Sequence, residues 1–143
     1  MYVILRNLLA VVVGVVLGSV VNISIITIGP MLIPPPEGVD MSDMEKFADN
    51  LQLLKPINFL APWLAHALGT LVGAAVAAAI AASHKMKFAL GMGVWFLLGG
   101  ITMVAFYGGP VWFAAADLIG AYIPMAYLGG LLSSGRPNKA VPA

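Results

Sequence analysis

His66 and Asp117 are the side chains of this sequence best able to do chemistry, and each stands inside a run of apolar residues. An imidazole and a carboxylate are the groups from which proton relays, ligand clamps and, with further donors, metal sites are built. Asn22 and Thr70, also inside apolar runs, add an amide and a hydroxyl able to hydrogen-bond across helices. An ionised group in hydrocarbon costs several kcal/mol unless it is paired, so His66 and Asp117 each need a partner or a purpose. Three roles stay open for a cluster of Asn22, His66, Thr70 and Asp117. His66 could donate to Asp117 or Asn22 and lock helices together, with Asp117 otherwise capping a helix or reaching the near surface. The cluster could line a proton or ligand pathway, or it could bind a metal or haem through His66. Metal is the weakest of the three, because zinc normally takes three or four protein donors and the chain has two histidines and no cysteine.

Other chemistry is excluded more firmly. Without cysteine there is no disulfide, no thiol nucleophile and no thiolate-ligated cluster. There is no HExxH, no phosphate-binding loop and no pair of carboxylates within one apolar run. The expectation is therefore a protein that is not an enzyme and carries no cofactor.

The elements that must position these residues follow from hydropathy and charge. Of 143 residues, 61% are hydrophobic and 9% charged, a composition that leaves little choice but the membrane. A span needs roughly 20 apolar residues, and windows at about 4–28, 57–83, 87–107 and 111–132 qualify, with a loop over 29–56 and a disordered tail over 133–143. The sequence thus predicts an all-α membrane protein, a single four-helix transmembrane domain over 1–143. Arg6 stands at the start of the first window, as in a secretory signal, but that window is too long for a signal-peptide core and is expected to be a retained anchor. Five of the six acidic residues, Glu37, Asp40, Asp43, Glu45 and Asp49, fall in the first loop, whereas Arg6, Lys85, Lys87, Arg136 and Lys139 fall at the other ends of the windows. The positive-inside rule then places the N and C termini in the cytoplasm and the acidic loop outside. Phe59, Trp63, Tyr107, Trp112 and Phe113 cluster where the outer interface would lie.

Local signals fill in the connections. Gly29-Pro30 and Pro34-Pro35-Pro36 are expected to end the first helix and lead out in an extended, polyproline-like run. Ser42-Asp43-Met44-Glu45 has capping-box spacing, and Phe47, Leu51 and Leu54 recur at helical intervals, which predicts a short amphipathic helix at about 43–54 in the first extracytoplasmic loop. Glu37 and Asp40 could attract cations toward the cluster or be solvated loop charge. His84 falls at the end of the second helix, where a cationic side chain suits the negative terminus. Pro124 should kink the fourth span near Gly120.

Packing signals are equally plain. Ala65, Gly69, Gly73, Ala77 and Ala81 repeat every four residues in the second span, and the first offers Gly14 and Gly18. Such stripes admit close helix crossings, either within the chain or against a second copy. Counted from the window ends, Asn22 and Asp117 lie about 9 Å deep and His66 about 14 Å, one turn lower.

With its runs Pro34-Pro35-Pro36-Glu37-Gly38-Val39-Asp40, His66-Ala67-Leu68-Gly69-Thr70 and Ser83-His84-Lys85-Met86-Lys87-Phe88-Ala89, the chain resembles small four-helix membrane proteins of bacteria. The resemblance implies a bacterial inner membrane and brings no catalytic residues with it. The functional expectation is a transporter or channel component for a proton, cation or small solute, using the buried polar cluster. The alternative is a non-catalytic structural or accessory subunit of a membrane complex. Its partners are the lipid bilayer and either a second copy or a larger membrane complex. The formal net charge of +1 arises from charges sorted to opposite ends, which argues against nucleic acid.

Overall fold

The computed structural model describes residues 1–134; the rest of the expected tail, 135–143, lies outside the described residues. The described chain is all-helical: α1 (Tyr2–Leu32), α2 (Phe47–Leu53), a 3-10 turn (Pro56–Phe59), α3 (Leu60–Ile80), α4 (Lys85–Tyr107), α5 (Val111–Gly120) and α6 (Ile123–Ser134). Among the described residues, four helical stretches are long and apolar enough to cross a membrane: Tyr2–Leu32, Pro56–Ile80, Lys85–Tyr107 and Val111–Ser133.

Helices α1 and α3 run antiparallel in one register along their whole length. Arg6 reaches Ile80 at one end and Gly29 meets Ala61 at the other. Between them the glycine stripes face each other reciprocally: a Cβ at Gly14 would sit 2.8 Å from the Gly73 carbonyl oxygen, and one at Gly18 2.7 Å from that of Gly69. Only bare backbone permits that separation. Helix α6 crosses α3 in the same manner, since a Cβ at Gly129 would lie 2.6 Å from the Leu71 carbonyl oxygen. Below the crossings, Ala74, Ala77, Ala78, Ala89, Met92 and Ala126 form a buried core.

Several boundaries differ from those expected. Pro30 does not end α1, which continues to Leu32 before Pro34–Pro36 leave helical structure. A proline in the last turn removes one donor only, and Gly29 seated on Ala61 holds that turn in place. Helix α2 starts at Phe47, because the capping residues are engaged otherwise. Ser42 donates its hydroxyl to Asp40 Oδ1 at 2.6 Å, and Asp43 Oδ1 accepts the N–H groups of Glu45 and Lys46 at 3.1 and 3.3 Å, closing a turn ahead of the helix. Helix α3 stops at Ile80, three residues before the hydropathy window does, where the Arg6 side chain donates to the Ile80 carbonyl at 2.6 Å and Asn7 Oδ1 accepts the Ala82 N–H at 2.9 Å. His84 takes the left-handed conformation, φ 50°, and is the N-cap of α4 as well as the exit from α3. Ser133 and Ser134 belong to α6, and the Ser133 hydroxyl donates to the Ala75 carbonyl at 2.6 Å.

Two buried asparagines order the loop, and Asn58 ties it to the bundle. Asn58 Nδ2 donates to the Pro34 carbonyl at 3.0 Å, and Asn50 Nδ2 to the Asp40 carbonyl at 2.7 Å. Phe47 packs edge-on against Tyr107 at 5.1 Å, so α2 rests on the end of α4.

Candidate functional site

The fourth span is broken where Pro124 predicts, and the break builds the site. Proline has no N–H to offer the Gly120 carbonyl, so α5 ends there and α6 begins at Ile123. On an unbroken helix Tyr122 would point about 140° away from Asp117. The turn at 121–122 brings it round, and its hydroxyl donates to Asp117 Oδ2 at 2.9 Å.

His66 approaches the same carboxylate from α3, with Nδ1 2.8 Å from Oδ1 and 2.9 Å from Oδ2. A carboxylate only accepts, so Nδ1 carries the hydrogen in this contact. The imidazole lies 5.7 Å from the Tyr122 ring and nearly parallel to it. Asp117, 3% exposed, is thus satisfied by two donors from two directions. Among the described residues His66 Nε2 has no hydrogen-bond partner, and the side chain is 23% exposed. The arrangement holds one imidazole rigidly, fixes its tautomer and presents its second nitrogen.

The depths correct the sequence estimate. Residues 56–59 form a 3-10 turn at the rim, so α3 begins at Leu60 and His66 is six residues in, as Asp117 is from Val111. Both therefore lie about 9 Å below their helix starts, at one level. Asn22 lies deeper than expected, because α1 extends to Leu32 and places it about 15 Å down.

Two cavities meet at His66. The loop-side cavity, about 540 Å³, is lined chiefly by apolar side chains such as Ile26, Ile33, Leu54, Phe59 and Val104, with His66 and Asp117 at its deep end and Asp40 and Ser42 near its rim. The second, about 500 Å³, lies between α1, α3 and α4 and is lined by His66, Asn22, Ser19, Thr70 and Tyr122 among others. The expected polar cluster is thus divided: Asp117 lines the first cavity, Asn22 and Thr70 the second, and His66 both. Asn22 makes no hydrogen bond to His66 or Asp117; it sits against Gly69 instead. Thr70 Oγ1 is fully buried and, among the described residues, has no hydrogen-bond partner.

Asp40 is the loop carboxylate nearest this system, and its charge is engaged locally. The Ser42 hydroxyl, then the Ser42 N–H, hold its carboxyl below the ordinary aspartate range. Glu37 is exposed and outside the cavity lining. His66 and Asp117 are two ligand-type side chains, and among the described residues no group of three or more gathers to hold a metal. Gly14, Gly18, Gly69 and Gly73 serve the α1–α3 crossing. Tyr122 is the site residue that sequence periodicity misses; the proline two residues later is the signal that points to it. No family model, no curated protein and no solved structure matches the chain, so its role must be argued from the chemistry of this site.

Proposed function

We propose that this is a multi-pass inner-membrane protein that binds a small solute on the loop side and acts as a transporter or channel component. His66 is the binding group, and Asp117 and Tyr122 position it. The observation that supports this most directly is His66 Nε2, held by a network at its other nitrogen and left unpartnered beside the cavities.

A cavity of about 540 Å³ falls within the range of small-molecule sites. Its mostly apolar walls favour a solute with an apolar body and one hydrogen-bonding group over a proton path or a hydrated cation, because apolar cavities stay dry. Arg6, Lys85 and Lys87 at one end and the acidic loop at the other orient the loop outward by the positive-inside rule. The glycine stripes that suggested a docking partner are filled within the chain, which weakens the accessory-subunit alternative.

Native mass spectrometry of the protein released from nanodiscs tests the proposal. A small-molecule adduct present on wild type and absent from His66→Phe is the expected result, followed by uptake of that molecule into proteoliposomes. Release without an adduct, together with a stoichiometric partner protein, would favour the accessory subunit.

A further inference from the structure

The second cavity has a different character from the first. Helices α1 and α4 meet where Gly14 faces Met92 and Gly18 faces Phe96, and beyond that point the groove opens between them. Its rim residues Ile23, Trp95 and Leu98 are exposed on the apolar outer surface of the bundle, so the groove opens sideways toward lipid. Thr70 on its floor is ten residues below Leu60, and Asn22 is ten residues below Leu32, so both lie about 15 Å down, at the middle of a hydrocarbon core about 30 Å thick.

Thr70 is 1% exposed and its hydroxyl has no partner among the described residues, although a threonine in a helix can turn to its own backbone, as Thr102 does by donating to the Leu98 carbonyl at 2.7 Å. An unpaired hydroxyl at membrane depth is costly and marks a place where a ligand atom would be stabilising. Gly99 gives a second indication. Among the described residues a Cβ there would meet nothing within 4 Å, so no neighbour among them requires a glycine at this wall of the groove, and helix propensity disfavours it.

We propose that this groove binds the uncharged, ring-bearing head of a membrane-dissolved amphiphile of quinone type, a flat ring with carbonyl or hydroxyl oxygens on an apolar tail. Phospholipid head groups stay at the interface, whereas a neutral quinone head can reside at mid-membrane depth. Trp95 and Phe96 supply aromatic walls, and Gly99 leaves room for a flat ring. Thr70 and Asn22 can each donate to a carbonyl oxygen, and His66 Nε2 can accept from a ring hydroxyl. The groove shares His66 with the loop-side site but not Thr70, Asn22 or Gly99, so the two proposals can fail separately.

The test uses the full chain in nanodiscs with Trp63 and Trp112 replaced by phenylalanine, leaving Trp95 as the reporter, and titrates a decyl-tailed 1,4-benzoquinone. Saturable quenching is expected. Gly99→Leu should abolish the saturable part without unfolding the protein, since the added side chain meets open space first. Thr70→Val, which deletes a hydroxyl that already lacks a partner, should weaken binding about tenfold while leaving the melting temperature unchanged or higher. Linear, non-saturating quenching that is identical in the parent and Gly99→Leu would mean that the quinone only dissolves in the bilayer, and would overturn the proposal.

Discussion

The two halves of this bundle are built from the same helices and differ in what they do with small residues. In the half nearest the His84 turn, glycine and alanine are used to bring backbones together: Gly73 on Gly14, Gly129 on Leu71 and Ala75, Gly130 on Met86 and Ala89. In the half nearest the loop, α1 and α4 part, α5 breaks from α6, and the space is bounded by His66, Asp117, Tyr122 and aromatic rings. A small residue therefore closes a bundle where a neighbouring helix arrives opposite it; where none does, as at Gly99, it leaves a hollow. The closed half fixes helix positions, and the hollow half holds the polar groups that such rigidity makes affordable.

That contrast can be broken at either end. Gly73→Leu should do most harm, because the new side chain is driven into the Gly14 backbone; a loss of about 3 kcal/mol or more is expected on SDS titration of the detergent-solubilised protein. Asp117→Ala, in the hollow half, should cost about 3 kcal/mol by stranding His66 and the Tyr122 hydroxyl. A double-mutant cycle with His66→Ala sharpens this, with a coupling of about 1–2 kcal/mol expected; additive losses would mean that the pair does not interact in solution. Asn58→Ala should cost about 1–2 kcal/mol by releasing the Pro34 carbonyl, read as faster hydrogen exchange in the loop. Gly99→Ala should stabilise the fold by up to about 1 kcal/mol, the opposite sign to Gly73→Leu, and this reversal is the sharpest check on the difference between the halves. The smallest effect is expected at Asp40. Its carboxyl is held low by Ser42, so the local turn is intact above the ordinary carboxylate range and loosens as pH falls below about 4. Ser42→Ala should raise that midpoint, measured by NMR titration of the loop amides.

The four apolar helices were legible because length and hydropathy alone specify them. That His66 faces the bundle could be reasoned from its stripe with Gly69 and Gly73, but not that its partner stands on α5 rather than on the α1 those glycines meet; nor could its level, since hydropathy does not distinguish the 3-10 turn at Pro56–Phe59 from the α-helix that follows. Tyr122 escaped because helical periodicity assigns it to the wrong face, and only the tertiary consequence of Pro124 returns it. Arg6 was read for its charge, and its hydrogen bond to Ile80 depends on a partner 74 residues away that no local pattern announces. The second cavity was not legible at all, because it is made by the divergence of two helices rather than by any motif.

That bond between Arg6 and Ile80, with Asn7 beside it on Ala82, bears on how the protein is made. During synthesis the first helix enters the bilayer long before the residues that it caps have left the ribosome. The last turn of α3 is completed by side chains that precede it by 74 residues in the chain and so reach the membrane before it does. An N-terminal fusion or truncation that displaces Arg6 and Asn7 would therefore act on the end of α3, and on the His84 turn from which α4 departs, before the fourth span has been inserted.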